Sequence, residues 1–582
     1  MAVETKILFR FRSRFRYKVW IARIKKRIKW FQRLSLRENG AAAGGEQRRR
    51  QATTGHGGVP VLNGFCSLPP RRKIQKCQNL DQNSKKIGVL VKVLRIFCIF
   101  VAKKNANNMK KLIGRDKELA LLERYIGSDR PEFIAVYGRR RVGKTYLINH
   151  AFANRFAFAM TGVLDGTKSD QMMAFTDAME MFGNELPKIP DNWMKAFSTL
   201  RKFLQPKVES GEPCIVFLDE IPCLDTHNSG FAKALGYFWN SWASLHDNVK
   251  LVVCGSATAW MIKNIIDSKG GLHNRITHEM RIKPFTLLES EQYLVSEGFV
   301  WNRLSILQAY MAFGGVAYYL SLLQPEESLS QNIDRLLFSP DGELRREYSR
   351  LYKTLFSTPE PYMKIVGLLG DHPEGLTRGE LADALGNDAG GTLSEQLANL
   401  CECGILRKFK VREKGTVKSN GGIYQLVDFF SLFYQRFVEN NEEKNWWSKH
   451  TNTPEVNTWL GLAYERICLT HVDQILHALH LDTISTRQYS WRSKHSQPAA
   501  QIDLIIERAD DMINLCEVKY SKEEYRIDQD EDKKIRHRLS SFQNETETRS
   551  GIFVTMITTF GLAKSKYDDA VALQLDMNGL FS

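Results

Sequence analysis

Apolar positions along the chain fall into runs of two kinds. Short unbroken runs read as strands buried on both faces. They open "FIAVYGRRRVGKTYLINHAF" (133–152), "CIVFLDE" (214–220) and "VKLVVCGSATAWM" (249–261). Longer stretches with helical spacing read as helices: "FTLLESEQYLVSEGF" (285–299), "ILQAYMAFGGVAYYL" (306–320) and "PEVNTWLGLAYERICLTHVDQILHALHL" (454–481). Residues 375–428 have another rhythm. A helix is expected over Arg378–Leu385, then a glycine-rich turn, then a second helix from about Thr392 to Cys403. Two short strands, "ILRKFKV" and "GIYQLVD", then flank a polar loop. "YQLVDFFSLFYQRFVENN" (424–441) reads as an aromatic connecting helix belonging to the core. Near the C-terminus "AAQIDLIIERADDMINLCEVKYSKEEY" (499–525) reads as two strands joined by a turn, with Asp503, Glu517 and Lys519 planted among apolar neighbours.

A chain of 582 residues exceeds a single domain, and roughly three or four are expected. None of the ten cysteines forms a CxxC pair, and several sit in apolar runs. This pattern points to reduced thiols in a cytoplasmic protein and away from a disulfide frame or a zinc site. The net charge of +17 is unevenly placed. Of 82 Lys and Arg against 65 Asp and Glu, 26 and 4 fall in residues 1–108, which leaves 56 against 61 for the rest. Global basicity therefore gives no nucleic-acid argument for the body of the chain.

The basic excess sits in "KILFRFRSRFRYKVWIARIKKRIKWFQRL" and in a linker-like stretch after it. "IGVLVKVLRIFCIFVA" is apolar, but Lys92 and Arg95 interrupt it, and it is short of a membrane span of about 20 residues. Two readings stand for 1–108: an arm for nucleic acid or a membrane surface, or a non-native extension ahead of a start at Met109.

The first strand runs into Gly138, Arg139, Arg140, Arg141, Val142, Gly143, Lys144 and Thr145, which fit GxxxxGK[ST]. The order follows from phosphate chemistry. Glycines let backbone N–H groups turn inward around a phosphate, the lysine reaches the β- and γ-oxygens, and the threonine hydroxyl ligates Mg²⁺. The second strand ends in Asp219 and Glu220, a carboxylate to hold the Mg²⁺ shell and one to polarise an attacking water. The third ends in Ser256, which reads either as a γ-phosphate sensor or as an ordinary strand-end turn.

Together with "IGRDKEL", "GLHNRITHEMRIKPF" and "FGGVAYYL", these motifs resemble AAA+-type ATPases, and more narrowly a prokaryotic, predominantly archaeal ATPase family, over about 110–355. The resemblance implies ATP and Mg²⁺ as cofactors and places Gly114 and Arg115 at the adenine pocket. It makes Arg275 a candidate arginine finger for a neighbouring subunit, with Arg281 a competitor for that role.

Residues 375–428 resemble a winged helix-turn-helix. Lys408, Lys410, Arg412, Lys414 and Lys418 of its loop suit phosphates, while the second helix offers Ser394, Gln396, Asn399 and Glu395 and no arginine for guanine. A DNA contact and a protein-docking role both remain open. In the last region the order is helix-Glu (Glu465), strand-Asp (Asp503), strand-Glu-x-Lys (Glu517, Lys519). That order resembles the PD-(D/E)XK nuclease core, with Ile502 where the name has Pro. The resemblance implies a divalent metal shared by Glu465, Asp503 and Glu517, with Lys519 beside the attacked phosphate. A degenerate module used for binding is the alternative. His471, His477 and His480 read as surface or core residues.

The expected fold is α/β and multidomain. An extension (1–108) precedes a P-loop ATPase domain with a parallel sheet (109–280), a helical lid (281–355), a winged helix-turn-helix (356–435) and a restriction-endonuclease-like α/β domain (436–582). The expected function is a slow Mg²⁺-dependent ATPase controlling a DNA-processing or defence-type nuclease module, against a switch ATPase with an inactive binding module. The expected partners are ATP, DNA through the last two domains, and a second copy or another protein, with no membrane.

Overall fold

The computed structural model describes residues 112–582 apart from 268–269, 387–390, 410–411, 414–415, 418–421 and 494. The basic segment 1–108 and the loop residues Lys410, Lys414 and Lys418 lie outside the described residues.

Helix α1 (Asp116–Ile126) leads into strand β1 (Glu132–Tyr137), α2 (Lys144–Phe152), β2 (Phe156–Thr161), α3 (Lys168–Met181), α4 (Trp193–Glu209), β3 (Cys214–Asp219), α5 (Phe231–Ser241), β4 (Val249–Gly255) and β5 (His278–Arg281). The five strands form a parallel sheet of order β2-β3-β4-β1-β5. Every residue of β1, β3 and β4 is buried, as unbroken apolar runs require when helices cover both faces. Alternation assigns the faces. Ile134, Val136, Ile215, Phe217 and Val252 pack on α1 and α2. Phe133, Ala135, Val216, Leu218, Leu251 and Val253 pack on α3, α4 and α5.

Next come α6 (Leu287–Ser296) and α7 (Arg303–Phe313), then α8 (Glu347–Leu355) and α9 (Pro359–Asp371). A capping box starts α6, with the Thr286 hydroxyl and the Glu289 carboxylate each accepting the other residue's backbone N–H. Strand β6 (Leu376–Thr377), α10 (Arg378–Leu385), α11 (Gly391–Glu402), β7 (Leu406–Phe409), the pair β8 (Arg412–Glu413) and β9 (Thr416–Val417), and β10 (Ile423–Leu426) follow. They give an antiparallel sheet of order β6-β10-β7 beside two helices. Where one aromatic helix was expected, a short α12 (Phe429–Phe433) passes into a widened π turn over Tyr434–Val438.

Helix α13 (Pro454–Thr470) precedes β11 (Thr486–Arg492), β12 (Gln501–Arg508), β13 (Met512–Lys519), α14 (Gln529–Thr546), β14 (Gly551–Thr558) and β15 (Leu573–Leu575). These strands form a sheet in sequence order, antiparallel across β11-β12-β13 and parallel across β13-β14-β15. One continuous cluster of buried side chains runs from Phe285 to Phe581. The lid, the three-stranded sheet and the C-terminal sheet thus share a core. His471 is a core residue of this cluster. Its Nε2 accepts from Leu287 N at 3.2 Å, its Nδ1 lies 2.9 Å from Ile467 O, and burial lowers it to about 4. Among the described residues no helix is long and apolar enough to cross a membrane, and seven cysteines are free thiols.

Candidate functional site: a phosphate loop and a second carboxylate cluster

The turn from β1 into α2 carries the phosphate-loop motif. Gly138 has φ +146, and a Cβ there would lie 2.2 Å from Ile282 O, so only glycine fits against the end of β5. Gly143, at φ +92, lets the loop turn into α2. Lys144 is buried, and its Nζ donates to Gly138 O, Arg139 O and Ser256 Oγ, each at 3.0 Å. The Thr145 hydroxyl donates to Asp219 Oδ2 at 2.9 Å. Burial raises the Asp219 carboxyl, against the lowering pull of the Thr145 bond. These oxygens are hard donors facing one another, a set that fits a divalent cation of the Mg²⁺ type.

Strand β4 lies between β1 and β3, which sets Ser256 between Lys144 and Glu220. Ser256 Oγ donates to Glu220 Oε1 at 2.6 Å and its N–H to Oε2 at 3.1 Å. Glu220 has φ +47, an uncommon conformation for a residue with a side chain. The sequence left Ser256 open between sensor and turn; in the structure it contacts both charged groups of the motif.

Lys144, Thr145, Glu220 and Ser256 line the polar end of a cavity of about 960 Å³, and Leu112, Ile113, Phe285, Tyr293 and Tyr318 line its apolar part. That volume suits a nucleotide-sized ligand. Arg115 lines it too, but its Nη2 is tied to Lys283 O (2.7 Å) and Val142 O (3.3 Å), and its guanidinium lies 4.6 Å over Phe285. It fastens loop to lid.

Each of the three consecutive arginines bonds a distant partner, and Arg140 and Arg141 also line the cavity. Arg139 does not line the cavity; it forms a buried two-pronged pair with Asp428, with Nη1 on Oδ1 and Nη2 on Oδ2. Arg140 Nη1 donates to Thr354 Oγ1 at 2.8 Å. Arg141, at φ +69, pairs through Nε with buried Glu347 at 3.1 Å and stacks 4.1 Å over Tyr318. Thr354 and Glu347 belong to α8, and Asp428 caps α12 by accepting from Ser431 N at 3.1 Å. The sequence hid these partners because they stand some 200–290 residues from the loop.

Arg275 sits exposed in the turn before β5. Arg281 is spent within the chain, where its Nη2 donates to Glu402 O at the end of α11, 2.6 Å away.

The second set lies in the C-terminal sheet. Glu465 and Asp503 are near one another, and burial followed by the Asp503 charge pushes the Glu465 carboxyl up to about 7. Cations occupy the surroundings. Arg466 Nη1 lies 3.4 Å from Glu465. Glu517 is held by Lys519 Nζ at 3.0 Å and by Arg538 Nη1 at 3.0 Å. Lys519 also pairs with Glu531 at 2.9 Å. Asp503 Oδ1 accepts from Gln501 Nε2 at 2.5 Å. Among the described residues no group of three His, Cys, Asp or Glu side chains is disposed to hold a metal ion. Arg466 beside Glu465, and Lys519 and Arg538 beside Glu517, supply positive charge near these carboxylates.

Contacts from the three-stranded sheet reach this cluster. Arg407 of β7 donates from Nε to Gln425 Oε1 at 2.7 Å, and Gln425 Nε2 donates to Pro373 O at 2.7 Å. Pro373 O also accepts from Arg466 Nη2.

Comparison with known proteins agrees with the first site. Residues 112–323 match the family described as an ATPase domain predominantly from Archaea. An uncharacterized protein of Methanocaldococcus jannaschii is 26% identical over 366 residues, 61% of this chain and 76% of that protein. Among solved structures, the Walker-type ATPase of Pyrococcus abyssi is 18% identical with a TM-score of 0.43, covering 56% of this chain and 96% of its own. The ORC2 protein of Aeropyrum pernix is 12% identical with a TM-score of 0.35, covering 57% and 96%. Lys144, Thr145, Asp219, Glu220 and Ser256 all fall inside the span that matches this archaeal ATPase domain.

Proposed function

We propose that the protein is a slow Mg²⁺-dependent ATPase that acts as a conformational switch on the modules beyond its lid. The observation that carries this reading is the Lys144–Ser256–Glu220 triad at the polar end of the nucleotide-sized cavity. Lys144 binds the β- and γ-phosphate oxygens once its Nζ exchanges the loop carbonyls for them. Glu220 accepts a hydrogen bond from the attacking water and aligns it with the γ-phosphorus, and Ser256 holds that carboxylate in place. Mg²⁺, when bound at Thr145 and Asp219, offsets the charge on the phosphates. Arg275, from its exposed turn, reaches a neighbouring copy's nucleotide. ATP turnover by the full chain tests the reading. Lys144→Ala is expected to lower it by at least about 100-fold, as loss of a single aligned electrostatic contact does. Glu220→Gln is expected to keep nucleotide binding and lose turnover. Turnover that survives both changes overturns the assignment.

The element order β6-α10-α11-β7-β10 supports reading residues 356–435 as a winged helix-turn-helix, and helix α13 before the β11–β13 meander supports a nuclease-like core for 436–582. Cations paired with Glu465 and Glu517 favour a binding module there. The specific observation for a DNA-processing or defence enzyme is the Glu465–Asp503 pair, with one carboxyl raised to about 7 in a partly buried site. Mn²⁺-dependent cleavage of DNA, with and without ATP, separates the two readings. Cleavage lost in Asp503→Ala establishes the enzyme, and no cleavage beside intact ATPase activity establishes the binding module.

A further inference from the structure

The pair Arg139–Asp428 has features that a structural staple does not need. Arg139 sits one residue into the phosphate loop, and its carbonyl is among the acceptors of Lys144 Nζ. Both partners are buried, with side-chain exposures of 5% and 1%. Asp428 lies more than 100 residues beyond the span that matches the ATPase family. Its own position is fixed by the three-stranded sheet, since Val427 N and Asp428 N both donate to Ile405 O, at 2.9 and 3.3 Å.

From there a hydrogen-bonded path leads on. Ile405 adjoins β7, and Arg407 of β7 bonds Gln425 of β10. Gln425 and Arg466 share Pro373 O, and Arg466 pairs with Glu465. Gln425 and Arg466 are both buried, and Arg407 and Glu465 are half-buried. The phosphate loop and the C-terminal carboxylate cluster thus stand at the two ends of one polar path through the middle module.

We propose that Asp428 is a positioning residue of the nucleotide site, holding the first turn of the phosphate loop through Arg139, and that nucleotide binding is communicated through this pair to the module bearing Glu465 and Asp503. The inference rests on the ATPase reading above. Closing the loop on phosphates moves the Arg139 carbonyl away from Lys144, and the buried fork carries that shift to Asp428. By linkage, whatever the middle module binds acts back on nucleotide affinity by the same factor.

The test is a double-mutant cycle on the full chain with Asp428→Asn, Arg139→Gln and both together. Asparagine retains the helix cap and removes the charge. Each single variant is expected to raise KM for MgATP about tenfold, within the usual range of coupling between sites, with kcat nearly unchanged. The double variant is expected to be no worse than the worse single one. Arg139→Lys, which keeps the charge and loses the fork, is expected to fall between, and it carries the test if Asp428→Asn does not fold. In hydrogen exchange, MgATP is expected to change amide protection in β10 and α13 of the wild type and not in Asp428→Asn or Arg139→Lys. Additive effects in the cycle, a wild-type KM in Arg139→Lys, or a nucleotide response that persists in both variants overturns the proposal. A wild-type chain that neither binds nor hydrolyses MgATP overturns the ATPase reading itself, and the link with it.

Discussion

Two of the carboxylate sets among the described residues, Asp219 with Glu220 and Glu465 with Asp503 and Glu517, differ in their company. At the tip of β3, Asp219 and Glu220 accept hydrogen bonds from the neutral hydroxyls of Thr145 and Ser256, and Glu220 faces an open cavity. At the C-terminal sheet, Glu465 of α13 and Glu517 of β13 meet Arg466, Lys519 and Arg538. Neutral donors leave a carboxylate its charge to spend on a cation or a water. Guanidinium and ammonium groups spend it inside the fold. Residue type alone therefore identifies neither a metal site nor an active one; the charge of the second partner decides.

The sharpest way to break this contrast is Arg466→Ala. It leaves Glu465 without its cation and Pro373 O with Gln425 Nε2 as its remaining donor, and should destabilise the fold by about 3–5 kcal/mol, as removing one partner of a buried pair does. Arg140→Ala, at the rim of the cavity, should cost less than about 1 kcal/mol. Urea unfolding of both variants checks the difference, and equal midpoints would erase it.

A smaller effect concerns pH. In the folded chain the Glu465 carboxyl keeps its proton from 4.5 up to about 7. The folded state then binds more protons than the unfolded one in that window. This group's contribution to stability is therefore greatest below pH 4.5 and declines as pH rises to about 7. Glu465→Gln should flatten the decline and stabilise the protein at pH 8 by roughly 2–3 kcal/mol. Melting curves across pH 4–8 test it, and an unchanged slope would mean that Arg466 fully compensates the charge.

The smallest effect is expected at Arg275. Being exposed, Arg275→Ala should change stability by less than about 0.5 kcal/mol. If it serves a neighbouring copy, turnover per chain rises with chain concentration in the wild type and stays flat in the variant. A steady-state rate measured over a dilution series checks this.

What the sequence made legible follows one rule: local patterns were readable, and partners chosen by the fold were not. The unbroken runs at 133–137, 214–219 and 249–255 signalled strands buried on two faces, and the loop after the first signalled phosphate chemistry. The order Glu465, Asp503, Glu517, Lys519 was equally visible, because it follows chain order and strand alternation. The cations that quench it were not. Arg466 follows Glu465 in a helix where sequence gives no hint of burial, Arg538 comes from α14, and Arg407 comes from another sheet. For the same reason "GRRRVGKT" gave no sign of Asp428, Thr354 and Glu347 as partners of its three arginines. A guanidinium has the reach to bond a group hundreds of residues away, and spacing carries no record of which it chose.

The shared core from Phe285 to Phe581 separates two kinds of boundary. The family match ends at residue 323, yet Leu323 is itself buried in that core. On the matched side Tyr310 meets Phe429 at 5.3 Å and His471 at 5.4 Å, edge to face. A fragment ended at residue 323 would present these aromatic faces to water and invite aggregation. Grafting a foreign tail there would have to supply a new lining for them. The family match and the unit that must fold together have different ends in this chain.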